Sequence, residues 1–371
     1  MRVLILINSS WNVVNFRSNL VKKIIQDGHE VVVMANRDQY SPLLGKLGCK
    51  YKEITFQSRS LNPFAELKLF FNILLQVKAI KPDFILTFTI KPNIYGSLVA
   101  KILKIRTINN IAGLGIAHSS FLLRNFVKYL YKFSLKNTYK CFFQNVDDLS
   151  YFVDQRIVSK LKTGLLPGSG VDLERFCATE SVIRYRRDSS EFNFLLSSRM
   201  LWSKGIREYI LAAKRIKAEF NHVNFWLVGF VNVDNRDAIS LSDITRWNDE
   251  GAIVFKGSTD DIKSVLESVH CFVLPTYYPE GTPKSLLEAS AMQLPIITTD
   301  SSGCRDVVKD GVTGYLCKQK DHKDLYEKMK IIVCLSNAQR ETMGYLARET
   351  MNEKFDDRIV SGEYLYQLNK S

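Results

Sequence analysis

The stretch from Leu274 to Gly303 constrains the fold of this chain more than any other part of the sequence. It reads LPTYYPEGTPKSLLEASAMQLPIITTDSSG. An apolar strand ends at Leu274, a loop follows from Pro275, a helix is predicted over about 284–292, and a second strand over 296–299. Because strand, loop, helix and strand in this order form the repeating unit of a parallel sheet, the chain is predicted to be an α/β protein.

Two carboxylates in this stretch suit a sugar ligand. Glu280 lies on the loop before the predicted helix, and Glu288 lies about one turn inside it. Amides at the start of a helix are unsatisfied and favour phosphate oxygens, while carboxylates accept hydrogen bonds from sugar hydroxyls. Together they indicate a nucleotide-sugar pocket. Two glutamates at this spacing also occur by chance in most chains of this length, so the spacing alone leaves both interpretations open.

A second loop carries two cations. The segment Ser198-Arg199-Met200-Leu201-Trp202-Ser203-Lys204-Gly205 follows a strand predicted over 192–197. Ligands of open parallel sheets bind at the carboxyl ends of strands. Arg199 and Lys204 could there hold a diphosphate and neutralise its charge as it leaves. An Arg and a Lys on a loop are, by themselves, more often solvated surface.

The string E-G-x-P-x-S-x-L-E-A-x-A-x-x-x-P-I-I-T-T resembles the donor-site signature of the retaining glycosyltransferases of family 4, and S-R-x-x-x-x-K-G resembles their diphosphate loop. The resemblance implies the GT-B fold, in which two Rossmann-like, doubly wound parallel-sheet domains face an interdomain cleft. It implies that Arg199 and Lys204 bind the diphosphate, Glu280 the donor sugar and Glu288 the ribose. The implied donor-binding set is Arg199, Lys204, Gly257, Glu280, Gly281, Thr282, Pro283, Lys284, Ser285, Leu286 and Glu288, with Arg199, Lys204, Glu280 and His118 as catalytic candidates.

Within the family, the chain is most similar to bacterial enzymes that extend lipid-linked glycans, such as the N-acetylgalactosaminyltransferases that act on undecaprenyl-diphosphate sugars. The segment Ser58-Arg59-Ser60-Leu61-Asn62-Pro63 and the turn Gly113-Leu114-Gly115 carry this likeness. It implies that no metal or other cofactor is needed, that the anomeric configuration is retained, and that a basic N-terminal domain docks on the inner membrane.

The first half of the chain is predicted to hold the acceptor. A strand over 3–7, the turn Asn8-Ser9-Ser10 and a helix over 15–26 form its first βα unit. The turn lacks G-x-G-x-x-G, which argues against a dinucleotide-binding dehydrogenase. Asn8, Ser9 and Ser10, with Gly113, Leu114 and Gly115, are the predicted acceptor-side residues.

One position departs from the family pattern. Many members carry a histidine just before the Gly-Leu-Gly turn, where this chain has Ala112. His118, three residues past Gly115, could take the place of that histidine, or it could be a helix-start residue with no catalytic role. Both interpretations stay open.

Charge is unevenly distributed along the chain. Residues 1–170 contain 24 Lys and Arg against 9 Asp and Glu, and the remainder contains 27 against 29. A basic half indicates an anionic partner such as nucleic acid, anionic lipid or a phosphate-bearing acceptor. A genome-wide preference for lysine is the alternative explanation, but it would raise the lysine content of both halves of the chain.

A predicted helix over 121–136 combines aromatic residues with cations spaced by four, at Arg124, Lys128, Lys132 and Lys136. Such a helix can lie in a bilayer interface with its lysines on anionic lipid. Alternatively, it buries its aromatic face in the domain core. The helix over 64–80 is a weaker second candidate for membrane contact.

The sequence predicts an acceptor- and membrane-facing domain over 1–170, a nucleotide-sugar domain over 190–350, and a terminal helix over 351–371 that crosses back to the first domain. The linker is predicted at the Pro- and Gly-rich segment 165–172 and the charged segment 179–191. Seven scattered cysteines without a C-x-x-C pair argue against disulfides and zinc, and no apolar run is long enough to span a membrane. The cysteines favour a cytoplasmic protein, and the resemblance together with the basic first half implies a peripheral position on the inner face of the bacterial membrane.

The leading functional hypothesis is a retaining glycosyltransferase that moves a sugar, most simply an N-acetylhexosamine, from a UDP-sugar to a polyprenyl-diphosphate-linked glycan. Such an enzyme would serve O-antigen, capsule or lipid-linked oligosaccharide assembly. A nucleotide-sugar epimerase of the same two-lobed architecture is the alternative, although a soluble epimerase has no use for a basic, aromatic first half. A basic nucleic-acid-binding protein is more remote, because no recognition motif is present.

Overall fold

The computed structural model describes residues 1–56, 62–113, 121–231 and 235–370, with the backbone alone for 121–124. By internal packing the chain divides into two units: Met1–Gly170 together with the segment from Asp357 onward, and Val171–Asp356. Each unit is built on one parallel sheet covered by helices. The prediction of two Rossmann-like α/β units is confirmed.

The first unit alternates strands and helices from its start. Its strands are β1 (Arg2–Leu6), β2 (Glu30–Ala35), β3 (Lys50–Glu53), β4 (Phe84–Phe88), β5 (Arg106–Ile111), β6 (Lys140–Phe143) and β7 (Thr163–Leu165). Its helices up to that point are α1 (Ser10–Phe16), α2 (Ser18–Gln26), α3 (Ser41–Lys46), α4 (Pro63–Ile80), α5 (Ile90–Leu103), α6 (Phe121–Ser134) and α7 (Val146–Asp154). The strand order is β3-β2-β1-β4-β5-β6-β7, with every pairing parallel.

The central strands of this sheet are apolar because helices cover both of their faces. Val3, Ile5, Val31 and Val33 pack on one side with α2, while Leu4 and Leu6 pack on the other side with α4. Such burial on both faces explains why β1 after Arg2 is wholly apolar and why β4 is apolar except for the buried Thr87.

The second unit repeats this plan. Its strands are β8 (Phe192–Ser197), β9 (Val223–Val228), β10 (Val254–Phe255), β11 (Cys271–Leu274), β12 (Ile296–Thr299) and β13 (Gly314–Cys317). Its helices are α8 (Glu180–Asp188), α9 (Ile206–Glu219), α10 (Leu241–Asp249), α11 (Ile262–Glu267), α12 (Lys284–Ala291), α13 (His322–Cys334) and α14 (Asn337–Thr350). The strand order is β10-β9-β8-β11-β12-β13, again all parallel.

The last helix belongs to the first unit. After a π-helical turn at Met351–Phe355, α15 (Asp357–Asn369) packs against α2. The Tyr364 ring lies against Phe88 and Phe142, and its hydroxyl accepts a hydrogen bond from Asn110 Nδ2 at 3.0 Å. The chain thus passes between the units after Gly170 and again after Asp356.

Two predicted segments differ in the structure. The helix predicted over 15–26 is two helices, α1 and α2, because the backbone at Arg17 leaves helical geometry at φ −133°. The charged segment predicted as part of the linker instead forms α8, whose N-terminus is capped by Thr179.

The outer faces of α4 and α6 each carry a stripe of exposed apolar residues at helical spacing. On α4 the exposed residues are Phe64, Leu67, Phe71 and Leu75, and on α6 they are Phe126, Tyr129 and Phe133. Both helices pack against α5, where Ile102 is exposed as well. The aromatic stripe of α6 therefore faces outward, while Tyr131 supplies the buried side of the same helix. Among the described helices, none is long and apolar enough to cross a membrane.

Candidate active site

The predicted donor residues lie on loops that follow two adjacent strands. Arg199 and Lys204 lie on the segment after β8, and Glu280 lies on the segment between β11 and α12. The strands β8 and β11 pair directly, with Cys271 level with Phe194. Because parallel neighbours end at the same edge of a sheet, their two loops meet there.

One carbonyl ties the two loops together. The Ser203 oxygen accepts hydrogen bonds from the amides of Tyr277 at 2.9 Å and Tyr278 at 3.0 Å, and from Thr276 Oγ1 at 3.1 Å. Gly205, at φ 76°, has no room for a side chain, since a Cβ there would lie 2.0 Å from the Pro275 oxygen. These contacts hold the loop that carries Arg199 and Lys204, the cation loop, against the loop that carries Glu280, the carboxylate loop.

The structure brings Lys204 and Glu280 into direct contact. The Lys204 ammonium donates to Glu280 Oε1, and the two side chains are only 9% and 14% exposed. Lys204 Nζ lies 5.2 Å from the centroid of the Tyr278 ring, and Arg199 Cζ lies 5.7 Å from the same centroid. Two cations and one carboxylate therefore converge around one tyrosine, an arrangement in which the cations can bind a diphosphate and the carboxylate can accept from sugar hydroxyls.

Glu288 lies on the fifth residue of α12 and forms an ion pair with Lys284, at 3.7 Å between Oε1 and Nζ. Burial raises the pKa of Glu288 from its ordinary value, while the charges of Lys284 and Arg175 act in the opposite direction. Pro283 begins this helix, and no side chain caps it in the described structure. Its first amides are therefore directed out of the helix beside the loop that carries Glu280.

The loop after β12 packs against the loop that carries Glu280. Gly303, at φ 76°, lies so close to Gly281 that a Cβ would come 1.5 Å from the Gly281 oxygen. Thr299 Oγ1 also donates to the Thr276 oxygen at 2.5 Å. Burial raises the pKa of the neighbouring Cys304 thiol to about 11, so this thiol is neutral beside Lys204 and Glu280.

Gly257 follows β10, two strands away from β8 in the sheet. It adopts φ 71° with open space around its Cα, and its oxygen accepts from the Gly229 amide at 2.8 Å. The structure does not bring it into contact with Glu280 or Glu288 among the interactions it describes. Nor does the described part of the chain contain a cluster of three or more His, Cys, Asp or Glu side chains suited to a metal ion.

Among the predicted acceptor-side residues, three lie after β1. Ser9 caps α1 by accepting from the Asn12 amide at 3.2 Å, and Ser10 Oγ bonds to Ser41 Oγ at 2.8 Å. Asn8 Oδ1, in contrast, is buried without a hydrogen-bond partner in the described structure. Gly113 is described, at φ 96°, whereas Leu114, Gly115 and His118 lie outside the described residues, as do residues 58–61 of the subgroup motif.

Sequence reasoning missed Tyr278, whose ring lies beside Arg199 and Lys204. An aromatic residue in a loop follows no periodic pattern, so the sequence offered no signal for it.

Two family models match this chain. The model described as "Glycosyl transferases group 1" matches residues 180–350, and the model described as "Glycosyl transferase 4-like" matches residues 2–145. The chain belongs to the family 4 glycosyltransferases. The two matches together span most of the chain, so the enzyme class and the resemblance seen in the sequence are confirmed, and the epimerase alternative loses its support.

Curated relatives of this glycosyltransferase include two that act on lipid-linked sugars. It is 28% identical over 382 residues to the N,N'-diacetylbacillosaminyl-diphospho-undecaprenol alpha-1,3-N-acetylgalactosaminyltransferase of Campylobacter jejuni, covering 98% of this chain and 97% of the relative. It is 25% identical to the UDP-Gal:alpha-D-GlcNAc-diphosphoundecaprenol alpha-1,3-galactosyltransferase of Escherichia coli, covering 71% and 69%.

Solved structures confirm the GT-B fold of this glycosyltransferase. HepE of Anabaena, in complex with UDP and glucose, aligns with a TM-score of 0.80 at 17% identity over 100% of both chains. The sucrose-phosphate synthase of Thermosynechococcus elongatus aligns with a TM-score of 0.81, also at 17% identity and full coverage of both chains.

Proposed function

We propose that this glycosyltransferase moves an N-acetylhexosamine from a UDP-sugar to a polyprenyl-diphosphate-linked glycan, with retention of the anomeric configuration. The two relatives described above are named as transferases to undecaprenyl-diphosphate-linked sugars, and one of them matches nearly the full length of both chains. O-antigen, capsule or lipid-linked oligosaccharide assembly is the process that such a product would serve.

The observation that carries the donor assignment is the contact of Lys204 with Glu280 beside Tyr278, with Arg199 on the same ring. In the proposed complex, Arg199 and Lys204 bind the diphosphate, Glu280 binds sugar hydroxyls, and Glu288 binds the ribose. The backbone N–H groups between Thr282 and Leu286 meet the sugar and phosphate; Pro283, which has no N–H, begins the turn into α12. Gly257 lies toward the base. The structural neighbour HepE is described with UDP, which fits a UDP-linked donor.

The chemistry assigned to this site needs no separate protein base. The bond between the sugar C1 and the β-phosphate oxygen breaks, and C1 bonds to the acceptor hydroxyl oxygen on the same face. The hydroxyl proton moves to the departing β-phosphate, which Arg199 and Lys204 stabilise as its negative charge increases. His118 remains a proposed contact to the donor sugar, and Asn8, Ser9, Ser10, Gly113, Leu114 and Gly115 remain proposed acceptor-side residues.

We further propose that the protein works on the inner face of the cytoplasmic membrane. The exposed stripes on α4 and α6 supply apolar contact, and the excess of lysine and arginine in residues 1–170 supplies attraction to anionic lipid. Lys101 Nζ lies 4.5 Å from the centroid of the exposed Phe133 ring, so a cation and an aromatic group already stand together on this surface.

Release of UDP tests the transfer reaction. A panel of UDP-sugars is incubated with the protein, with and without a detergent-solubilised undecaprenyl-diphosphate sugar. We expect release that depends on the acceptor and on one N-acetylhexosamine donor, and that is lost in Glu280→Ala. Acceptor-dependent release from a different UDP-sugar would replace the proposed donor with that sugar. If no UDP-sugar gave acceptor-dependent release, the proposed transfer would be contradicted.

Flotation with vesicles tests the membrane assignment. Vesicles that contain phosphatidylglycerol should retain the wild-type protein at low salt, and Phe126→Ser with Phe133→Ser should reduce the bound fraction about tenfold, since each ring loses apolar contact. Tyr345→Ser on α14, where the tyrosine is similarly exposed, is the matched control and should bind as the wild type does. Equal losses in both variants would argue against a specific membrane face.

A further inference from the structure

Arg17 is a buried cation without a counter-charge. It lies between α1 and α2 and is 5% exposed, and its Nε and Nη1 atoms have no hydrogen-bond partner in the described structure. Its guanidinium lies 4.5 Å from the centroid of the Phe88 ring, and no carboxylate of the described residues pairs with it. Buried charges in proteins are normally paired, so this arrangement requires an explanation.

Thr89, the residue after Phe88, is unusual in two further respects. Its backbone adopts φ 69°, a conformation that a β-branched residue rarely occupies and that clusters at functional sites. Its hydroxyl is buried without a hydrogen-bond partner in the described structure. Thr89 also begins α5, a helix of 14 residues whose N-terminus no side chain caps.

Asn8 completes the group. Leu6 is level with Thr87 in the parallel pair β1 and β4, and Asn8 and Thr89 each follow two residues later on the segments that leave these strands. Its Oδ1 atom is buried and also lacks a partner among the described residues. Four of the six side-chain atoms with this property in the described structure thus belong to Arg17, Thr89 and Asn8, at one edge of one sheet.

The contact with the Phe88 ring does not compensate for the burial of the Arg17 charge. A ring face attracts a cation, but it accepts no N–H hydrogen bond of the strength that the lost water supplied. Tyr364, the other group that acts on Arg17, donates or accepts only as a neutral phenol, because burial raises its pKa to about 12. What is missing is an acceptor that carries negative charge.

We infer that Arg17, Thr89 and Asn8 form a subsite in the first unit that binds a phosphate group of the acceptor. The guanidinium and the Thr89 hydroxyl supply donors, the start of α5 supplies its dipole, and the Asn8 carboxamide can meet an adjoining sugar hydroxyl. This inference rests on the proposed function, because the phosphate it assigns is that of a lipid-diphosphate acceptor. As whole residues, Asn8 and Thr89 are half-buried, whereas Arg17 is buried.

Thermal unfolding of the full chain tests the subsite directly, with inorganic pyrophosphate as the probe and UDP saturating to occupy the donor site. We expect pyrophosphate to raise the Tm of the wild type. In Arg17→Met this shift should disappear, while the Tm without pyrophosphate should equal or exceed that of the wild type, because an unpaired buried charge is removed. Arg106→Met is the control: Arg106 also lies over aromatic rings, at 5.2 Å from the Phe84 centroid, and its loss should leave the pyrophosphate shift intact.

A lower Tm of Arg17→Met without pyrophosphate, combined with an unchanged pyrophosphate shift, would overturn the inference and make Arg17 a structural residue. Thr89→Val keeps the shape of the side chain and removes only the hydroxyl, so it covers the case in which Arg17→Met does not fold. It should weaken pyrophosphate binding at least fivefold, and unaltered binding would contradict the subsite.

Steady-state transfer separates this inference from the proposed function. With a polyprenyl-diphosphate sugar as acceptor, Arg17→Met should raise KM for the acceptor at least tenfold and leave KM for the UDP-sugar unchanged. If pyrophosphate binding depends on Arg17 but no acceptor-dependent transfer is observed, the proposed function fails and the phosphate subsite stands. If transfer occurs with an unchanged acceptor KM, the assignment to the acceptor is overturned, and the site is one for free phosphate.

Discussion

Lys204 and Glu280 form an ion pair, and the loss of either member should have a different consequence. Both side chains are largely buried, so Glu280→Gln leaves a cation without its partner and should lower the free energy of unfolding by about 3 kcal/mol. A bound diphosphate would replace the missing charge. We therefore expect UDP to raise the Tm of Glu280→Gln more than that of the wild type, whereas Lys204→Gln should weaken UDP binding about tenfold or more.

The control for this pair is a similar but exposed one. Lys330 and Glu219 are 2.7 Å apart with side chains 41% and 36% exposed, so Glu219→Gln should lower stability much less than Glu280→Gln does and leave the response to UDP unaltered. Thermal unfolding with and without UDP measures all three variants. Equal UDP shifts in the wild type and Glu280→Gln would refute the idea that Glu280 and the diphosphate share Lys204.

Glu288 should make stability depend on pH. Its pKa in the folded protein is raised above the ordinary 4.5, chiefly by burial. Its unfolded form therefore releases the proton at a lower pH than its folded form does. The contribution of Glu288 to stability is present below pH 4.5 and is lost as the pH rises through the folded pKa. Relative to the wild type, Glu288→Gln should thus gain stability between pH 4 and pH 7, as measured by denaturant unfolding at several pH values. A constant difference would contradict the burial effect.

At the scale of elements, the loop that carries Glu280 is supported by a backbone contact between two loops, that of Gly303 with Gly281. A side chain at Gly303 would collide with the Gly281 oxygen, so Gly303→Ala should displace the loop and lower stability by about 2 kcal/mol or more. Gly311 has the similar φ of 72° but open space around its Cα. Gly311→Ala therefore carries the backbone strain alone, about 1 kcal/mol. UDP titration should show weaker binding only in Gly303→Ala, and equal binding in both would exclude the contact as a support of the site.

The sequence predicted elements well where one periodicity dominates. Helix α12 and strand β12 fall where the apolar spacing after Pro283 and Pro295 put them. The break at Arg17 escaped prediction because α1 and α2 share one apolar stripe, and periodicity continues through a local change of φ. Of the site, the charged residues could be predicted from their motif. The support by Ser203 and Gly303 could not, since it consists of backbone contacts between segments far apart in the chain.

At the scale of the whole molecule, α15 makes the first unit depend on the end of the chain. Val360, Tyr364 and Leu368 are buried in the core of that unit, and burying each contributes roughly 1.5–3 kcal/mol. A chain that ends at Asp356 should therefore lose the cooperative structure of the first unit, while the second unit, whose own cores contain none of these residues, keeps UDP binding. Hydrogen exchange should show protection lost in β4 and retained in β8. Tyr364→Phe is the graded control, because it keeps the ring and removes only the bond to Asn110, at about 1 kcal/mol. Equal loss of protection in β4 and β8 would mean that the two units unfold together. The two units seen in the packing would then not be independently stable.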